Sequence, residues 1–125
     1  MQNLTKAEEQ IMHILWDIEK GFLKEIVAQF PEPKPANTTV ATVIRVLVKK
    51  EFVGFTTYGS SNQYYPAVSK SDYFKTHFKS LLSRFFGSSA TRFASFFSKE
   101  NDLSISELEE IKKLIEQEIE EKKGQ

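Results

Sequence analysis

Apolar residues recur at helical spacing over most of this 125-residue chain, with one β-like interruption. Thr5-Lys6-Ala7-Glu8 has the form of a capping box, in which the threonine hydroxyl accepts from the N–H three residues on and the glutamate reaches back. Ala7, Ile11, Ile14, Leu15 and Ile18 then share one face of a first helix, and Gly21 ends the pattern. Trp16 lies roughly 100° off that stripe, so it is expected to pack outside the helix's main contact. Phe22 to Phe30 predicts a second, short helix with Phe22, Leu23, Ile26, Val27 and Phe30 inward, stopped by Pro31. Pro31, Pro33 and Pro35 make a stiff connector, since each proline fixes φ and lacks a donor.

A third helix is expected to about Lys50, capped by Asn37 or Thr38. Its many β-branched residues favour a strand by propensity. Period decides otherwise: Val40, Val43, Ile44 and Leu47 form an apolar stripe at i, i+3, i+4 and i+7, with Thr38, Thr42, Arg45 and Lys49 on the opposite face. Phe52 to Tyr58 and Gln63 to Val68 are β-rich runs around Gly59-Ser60-Ser61-Asn62, which predicts a hairpin with a four-residue tip. Ser69 to Asp72 is another capping signal, before Phe74, Phe78, Leu81, Leu82 and Phe85 at helical spacing. Gly87 breaks that fourth helix, Ala90 to about Ser98 predicts a short apolar fifth, and Ser104 with Glu107 caps a sixth carrying Leu108, Ile111, Leu114, Ile115 and Ile119. The fold class expected is mainly α with a small β-hairpin: a winged helix-turn-helix over residues 1–69, followed by a three-helix dimerisation region over 70–125.

Several of these segments resemble the penicillinase-repressor family of winged-helix regulators. Thr39-Val-Ala-Thr-Val-Ile-Arg45-Val-Leu47, followed by Lys50-Glu-Phe-Val-Gly54, is similar to that family's recognition helix and first wing strand. Leu4 to Glu8, Ile14-Leu-Trp16, Tyr64-Tyr-Pro66 and the acidic run from Ser104 to Ile119 resemble its first helix, second wing strand and last helix. The likeness spans roughly residues 4–119. It implies a cytoplasmic homodimeric repressor, bound through its winged helices to an inverted-repeat DNA operator. In several members a membrane sensor triggers proteolysis within the dimerisation part and lifts repression, which makes a membrane sensor metalloprotease a candidate partner. Family members often carry glycine where Glu51 stands, an arginine at the wing tip, here Ser60-Ser61-Asn62, and an asparagine–phenylalanine cleavage bond where Phe96-Phe97 stands here. The copper-responsive branch uses a C-terminal cysteine motif, and this chain has no cysteine, which also excludes disulfides and thiolate metal sites.

Charge refines the picture. The formal net charge is zero, yet residues 71–98 carry four basic side chains against one acidic, and residues 99–125 five against nine. Seven of the eleven phenylalanines, 74, 78, 85, 86, 93, 96 and 97, fall in 24 consecutive positions. A segment of about 55 residues rarely buries that many rings alone, so Phe74, Phe78, Phe85, Phe86, Phe93, Phe96 and Phe97, with Leu108, Ile111 and Ile115, are expected to form a dimer seam. DNA contacts are expected from Thr38, Thr39, Thr42, Arg45 and Lys49 on the third helix, since arginine can pair bidentately with guanine, and from Ser60, Ser61 and Asn62 in the wing. Lys6, Lys24, Lys34 and Lys49 are candidate phosphate contacts. No metal, cofactor or enzymatic activity is expected: His13 and Asp17 at i, i+4 supply two ligands and not a site, and no nucleophile–base pair or phosphate-cradling loop is visible. No apolar run is long enough to span a membrane, and the N-terminus lacks the pattern of a secretory leader. The alternative reading is a winged-helix protein-interaction module without DNA binding, which the weak basic charge favours and the polar stripe on the third helix opposes.

Overall fold

The capping box at Thr5 forms: Thr5 Oγ1 accepts from the Glu8 N–H at 3.2 Å, and Glu8 Oε1 accepts from the Thr5 N–H at 2.9 Å. It starts α1 (Lys6–Ile18) in a computed structural model that describes residues 2–125. The buried face of α1 is Glu8, Ile11, Met12 and Leu15. Ala7, expected inward, is exposed. A two-residue strand, β1 (Gly21–Phe22), precedes α2 (Leu23–Ala28). The expected helix from Phe22 to Phe30 is therefore shorter at both ends. Phe22 is drawn into a sheet, and Gln29 and Phe30 turn back on the carbonyls of Ile26 and Val27. Lys34 Nζ donates to the carbonyls of Ala28 and Phe30 at 3.0 and 2.7 Å, satisfying groups that a helix C-terminus leaves open.

The β-branched segment is helical, as its period required: α3 (Asn37–Lys49) buries Val40, Ile44 and Leu47. Its N-cap is Ala36 and not Asn37 or Thr38. The N–H groups of Thr39 and Val40 both reach the Ala36 carbonyl, so the backbone leaving the proline connector starts the helix without a side-chain cap. At the other end the Phe52 N–H bonds the Leu47 carbonyl at 2.9 Å and the Glu51 N–H bonds the Val48 carbonyl at 3.0 Å. That is a Schellman motif, with Glu51 at φ 68° where glycine is usual. Phe52 and Leu47 meet in the core, beside Ile11, Met12, Leu15, Ile26 and Val53.

The wing is β2 (Val53–Tyr58) and β3 (Ser61–Pro66), antiparallel, with Tyr58 opposite Ser61. The tip is thus two residues, Gly59-Ser60, and not four. Gly59 at φ 62° supplies the positive φ that a tight hairpin turn needs at its first central position, which lets Ser61 and Asn62 pair as strand. β1 adds to the far side of β3, giving the order β1-β3-β2.

Ser69 Oγ accepts from the Asp72 N–H at 3.0 Å and caps α4 (Lys70–Phe86). The chain divides into two compact units, Met1–Phe78 and Lys79–Gln125. The first unit runs into α4 because Tyr73 is buried in its core, edge-on to Phe52 at 5.8 Å, with its hydroxyl accepting from the Leu4 N–H at 3.2 Å. Trp16, as expected, packs outside the α1 stripe: its indole N–H donates to the Val68 carbonyl at 2.8 Å. The second unit holds α5 (Ala90–Glu100), capped by Ser89, and α6 (Ile105–Lys123), whose capping box of Ser104 and Glu107 forms as read. Phe86, Phe93, Phe96 and Phe97 make a ring cluster with centroids 5.6–5.8 Å apart. Among the described residues no helix is long and apolar enough to cross a membrane.

Glu8 is the buried charge of the first unit, 5% exposed. Lys50 Nζ donates to both of its carboxylate oxygens, at 2.8 and 3.0 Å. Burial alone raises the Glu8 pKa, but the hydrogen bonds from Lys50 and Thr5 and the ammonium charge outweigh it and hold the carboxyl below the ordinary glutamate value.

Two predictions follow from this geometry. Glu51→Gly relieves a left-handed conformation without removing a contact seen in the structure, and should raise stability by about 1 kcal/mol. A urea-unfolding midpoint that does not rise would contradict the backbone reading. Because the folded-state pKa of Glu8 is lowered, its stabilisation is present above the unfolded value of roughly 4.3 and is lost as pH falls through the folded value. Glu8→Gln should therefore cost on the order of 2 kcal/mol at pH 7, and its deficit should shrink in acid. A deficit constant from pH 7 to 3 would exclude the linkage.

Candidate nucleic-acid interface

Burying Val40, Ile44 and Leu47 forces the opposite face of α3 outward. Thr38, Thr42, Arg45 and Lys49 lie along it at i, i+4, i+7 and i+11, all exposed. Neither Arg45 nor Lys49 has an ion-pair partner among the described residues. Thr42 Oγ1 donates to the Thr38 carbonyl at 2.9 Å, within the helix. Thr39 is also exposed but sits about 100° around the helix from Thr38, where it lines a cavity of about 290 Å³ with Ala7, Gln10 and the three connector prolines. Val46, 40% exposed, adds one apolar group beside the polar row.

The wing residues fall into two kinds. Ser60 and Ser61 are exposed; Asn62 is half-buried, and its Oδ1 accepts from Thr57 Oγ1 at 2.8 Å across the hairpin. All three line a recess of about 380 Å³ with Lys24 and Asn37. The start of α2, the start of α3 and the wing therefore meet at one place. Sequence spacing did not group Lys24 and Asn37 with the wing, because strand pairing between β1 and β3 is what brings these segments together.

The candidate cations are unequal. Lys34 is occupied at the end of α2. Lys24 and Lys49 have no carboxylate partner among the described residues.

The proposed seam residues are split between the units. Phe74 is 67% exposed and stacks on the half-buried Phe78 at 6.0 Å. In the second unit Phe85, Phe96, Leu108 and Ile115 are exposed, whereas Phe86, Phe93, Phe97 and Ile111 are half-buried. The Phe96–Phe97 bond lies inside α5. His13 approaches Glu9, not Asp17, at 3.9 Å, and no group of three potential metal ligands occurs among the described residues.

A family model described as penicillinase repressor matches residues 4–117. The penicillinase repressor of Bacillus licheniformis is 23% identical over 115 residues, which cover 91% of this chain and 90% of that protein. Among solved structures, that of the CopR repressor is 33% identical with a TM-score of 0.45, covering 52% of this chain and 96% of that one. A structure of Bordetella bronchiseptica BpsR, describing regulation of its DNA binding by 6-hydroxynicotinic acid, matches at 16% identity and a TM-score of 0.47, over 95% of this chain and 77% of that one.

Proposed function

The chain belongs to the penicillinase-repressor family, which makes it a DNA-binding transcription regulator of the repressor type and not an enzyme, and on that premise we propose that it acts as a homodimer on an inverted-repeat operator, with α3 in the major groove. The observation that carries this reading is the outward row of Thr38, Thr42, Arg45 and Lys49, with the arginine free of any carboxylate among the described residues. A major groove offers hydrogen-bond acceptors and donors at base edges, and this row offers matching chemistry. Ser60, Ser61 and Asn62 in the wing, with Lys24 and Asn37, supply phosphate contacts beside it. Residues 1–69 carry DNA reading and residues 70–125 carry dimerisation. The protein works in the cytoplasm, where its operator lies.

Dimerisation is supported by the apolar side chains that the second unit leaves in water: Phe85, Phe96, Leu108, Leu114, Ile115 and Ile119. Large apolar side chains left in water in such number point to an interaction surface. With few free cations per protomer, each half-site is held weakly, and joining two in one molecule raises affinity through effective concentration. By the same family logic, cleavage at the Phe96–Phe97 bond by a membrane sensor metalloprotease would detach α6 and release the operator.

Arg45→Ala should weaken operator binding by about 1–3 kcal/mol and relax preference at one base pair per half-site. Duplexes selected from a random pool supply the operator, and a folded variant with an unchanged binding profile would argue for a protein-interaction module. Ile115, 54% exposed in the protomer, can be altered without disturbing its fold. Ile115→Glu would bury an unpaired carboxylate in the seam, so the dimer should dissociate in sedimentation and operator affinity should fall in parallel. A dimeric variant would remove Ile115 from the seam, and a monomer binding as tightly as the parent would refute the coupling.

A further inference from the structure

We propose that Thr42 reads the methyl group of a thymine, because its hydroxyl proton is already committed inside α3. This deepens the reading of α3 as the groove helix and rests on it. A threonine hydroxyl has one proton to donate and lone pairs to accept with. At Thr42 the proton goes to the Thr38 carbonyl, 2.9 Å away. Donating to guanine N7 or O6, to adenine N7 or to thymine O4 would first require breaking that bond. The same bond draws Oγ1 against the helix backbone, leaving the methyl carbon as the free end of an exposed side chain. What Thr42 keeps for a base edge is its methyl group and the lone pairs of an oxygen drawn back against the helix; the methyl is its free end, and the apolar feature of the major groove is the thymine C5-methyl. Thr38, one turn earlier on the same face, has a hydroxyl with no partner among the described residues and keeps its capacity to donate. Two threonines of the same face thus have different vocabularies: Thr38 can address an acceptor and Thr42 a methyl.

The two variants that separate methyl from hydroxyl are Thr42→Val and Thr42→Ser. Both change an exposed helical position, and circular dichroism checks that they fold. Binding is measured on the duplex selected by the unaltered protein, and on the same duplex with uracil replacing one thymine at a time, which deletes only the C5-methyl. Thr42→Val should bind within about twofold of the parent and keep its preferred sequence. Thr42→Ser should lose about three- to fivefold per half-site, the worth of one buried methyl group. One uracil position should cost the parent and Thr42→Val a similar factor while leaving Thr42→Ser indifferent. Equal losses in the valine and serine variants, or a uracil penalty in Thr42→Ser as large as in the parent, would overturn the assignment to Thr42 with sequence-specific binding intact. A parent protein that selects no sequence at all overturns the groove reading itself, and this inference with it.

Discussion

One carboxylate sets the orientation of the exposed polar face of α3. Glu8 caps the first turn of α1 and, through Lys50, grips the last turn of α3, 42 residues later. A buried carboxylate is tolerable only when its charge and its lone pairs are satisfied, and Glu8 meets that condition through two separate segments at once. Losing Lys50 would leave Glu8 buried and unpaired, so the two helices are held together by the penalty for parting as much as by the bond. The apolar core fixes which side of α3 is inward. Glu8 fixes where along α1 its C-terminal end must lie.

From that anchor the remaining features of the first unit follow. The Schellman motif after α3 returns the chain through Phe52 into the core, which aims β2 away from the helix and makes the wing its neighbour. β1 then pairs with β3 and brings the start of α2 to the wing's base. Charge is spent unevenly: Lys50 and Lys34 serve the fold, while Arg45, Lys49 and Lys24 are left without carboxylates among the described residues. Residues 37–50, which form α3 and its C-cap, carry Arg45, Lys49 and Lys50 and no carboxylate, so this helix is locally cationic in a chain of zero formal charge.

Local signals in the sequence carried most of the helices. The boxes at Thr5 and Ser104 are contained within four residues, and the stripe in α3 repeats often enough to defeat its β-branched propensity. What escaped is non-local. Glu8 reads only as a capping residue because nothing nearby in sequence reveals Lys50. β1 is two residues long and exists only by pairing with Gln63 and Tyr64. Ser61 and Asn62 read as loop because they are polar, yet the turn at Gly59 closes early enough to enlist them as strand. The polar face of α3 was legible from spacing alone. The direction of the Thr42 hydroxyl was not, since a threonine on a helix has more than one rotamer available and spacing does not choose between them.

The bond from Trp16 to the Val68 carbonyl has a spectroscopic consequence. Trp16 is the only tryptophan in the chain, and its indole N–H crosses from α1 to the residue just before the Ser69 cap of α4. Ultraviolet emission excited selectively in the indole therefore originates at one place, the seat of α4 on the first unit. The opening of that seat and the melting of the rest of the fold can be followed as separate events, by fluorescence and by circular dichroism, in the unlabelled protein.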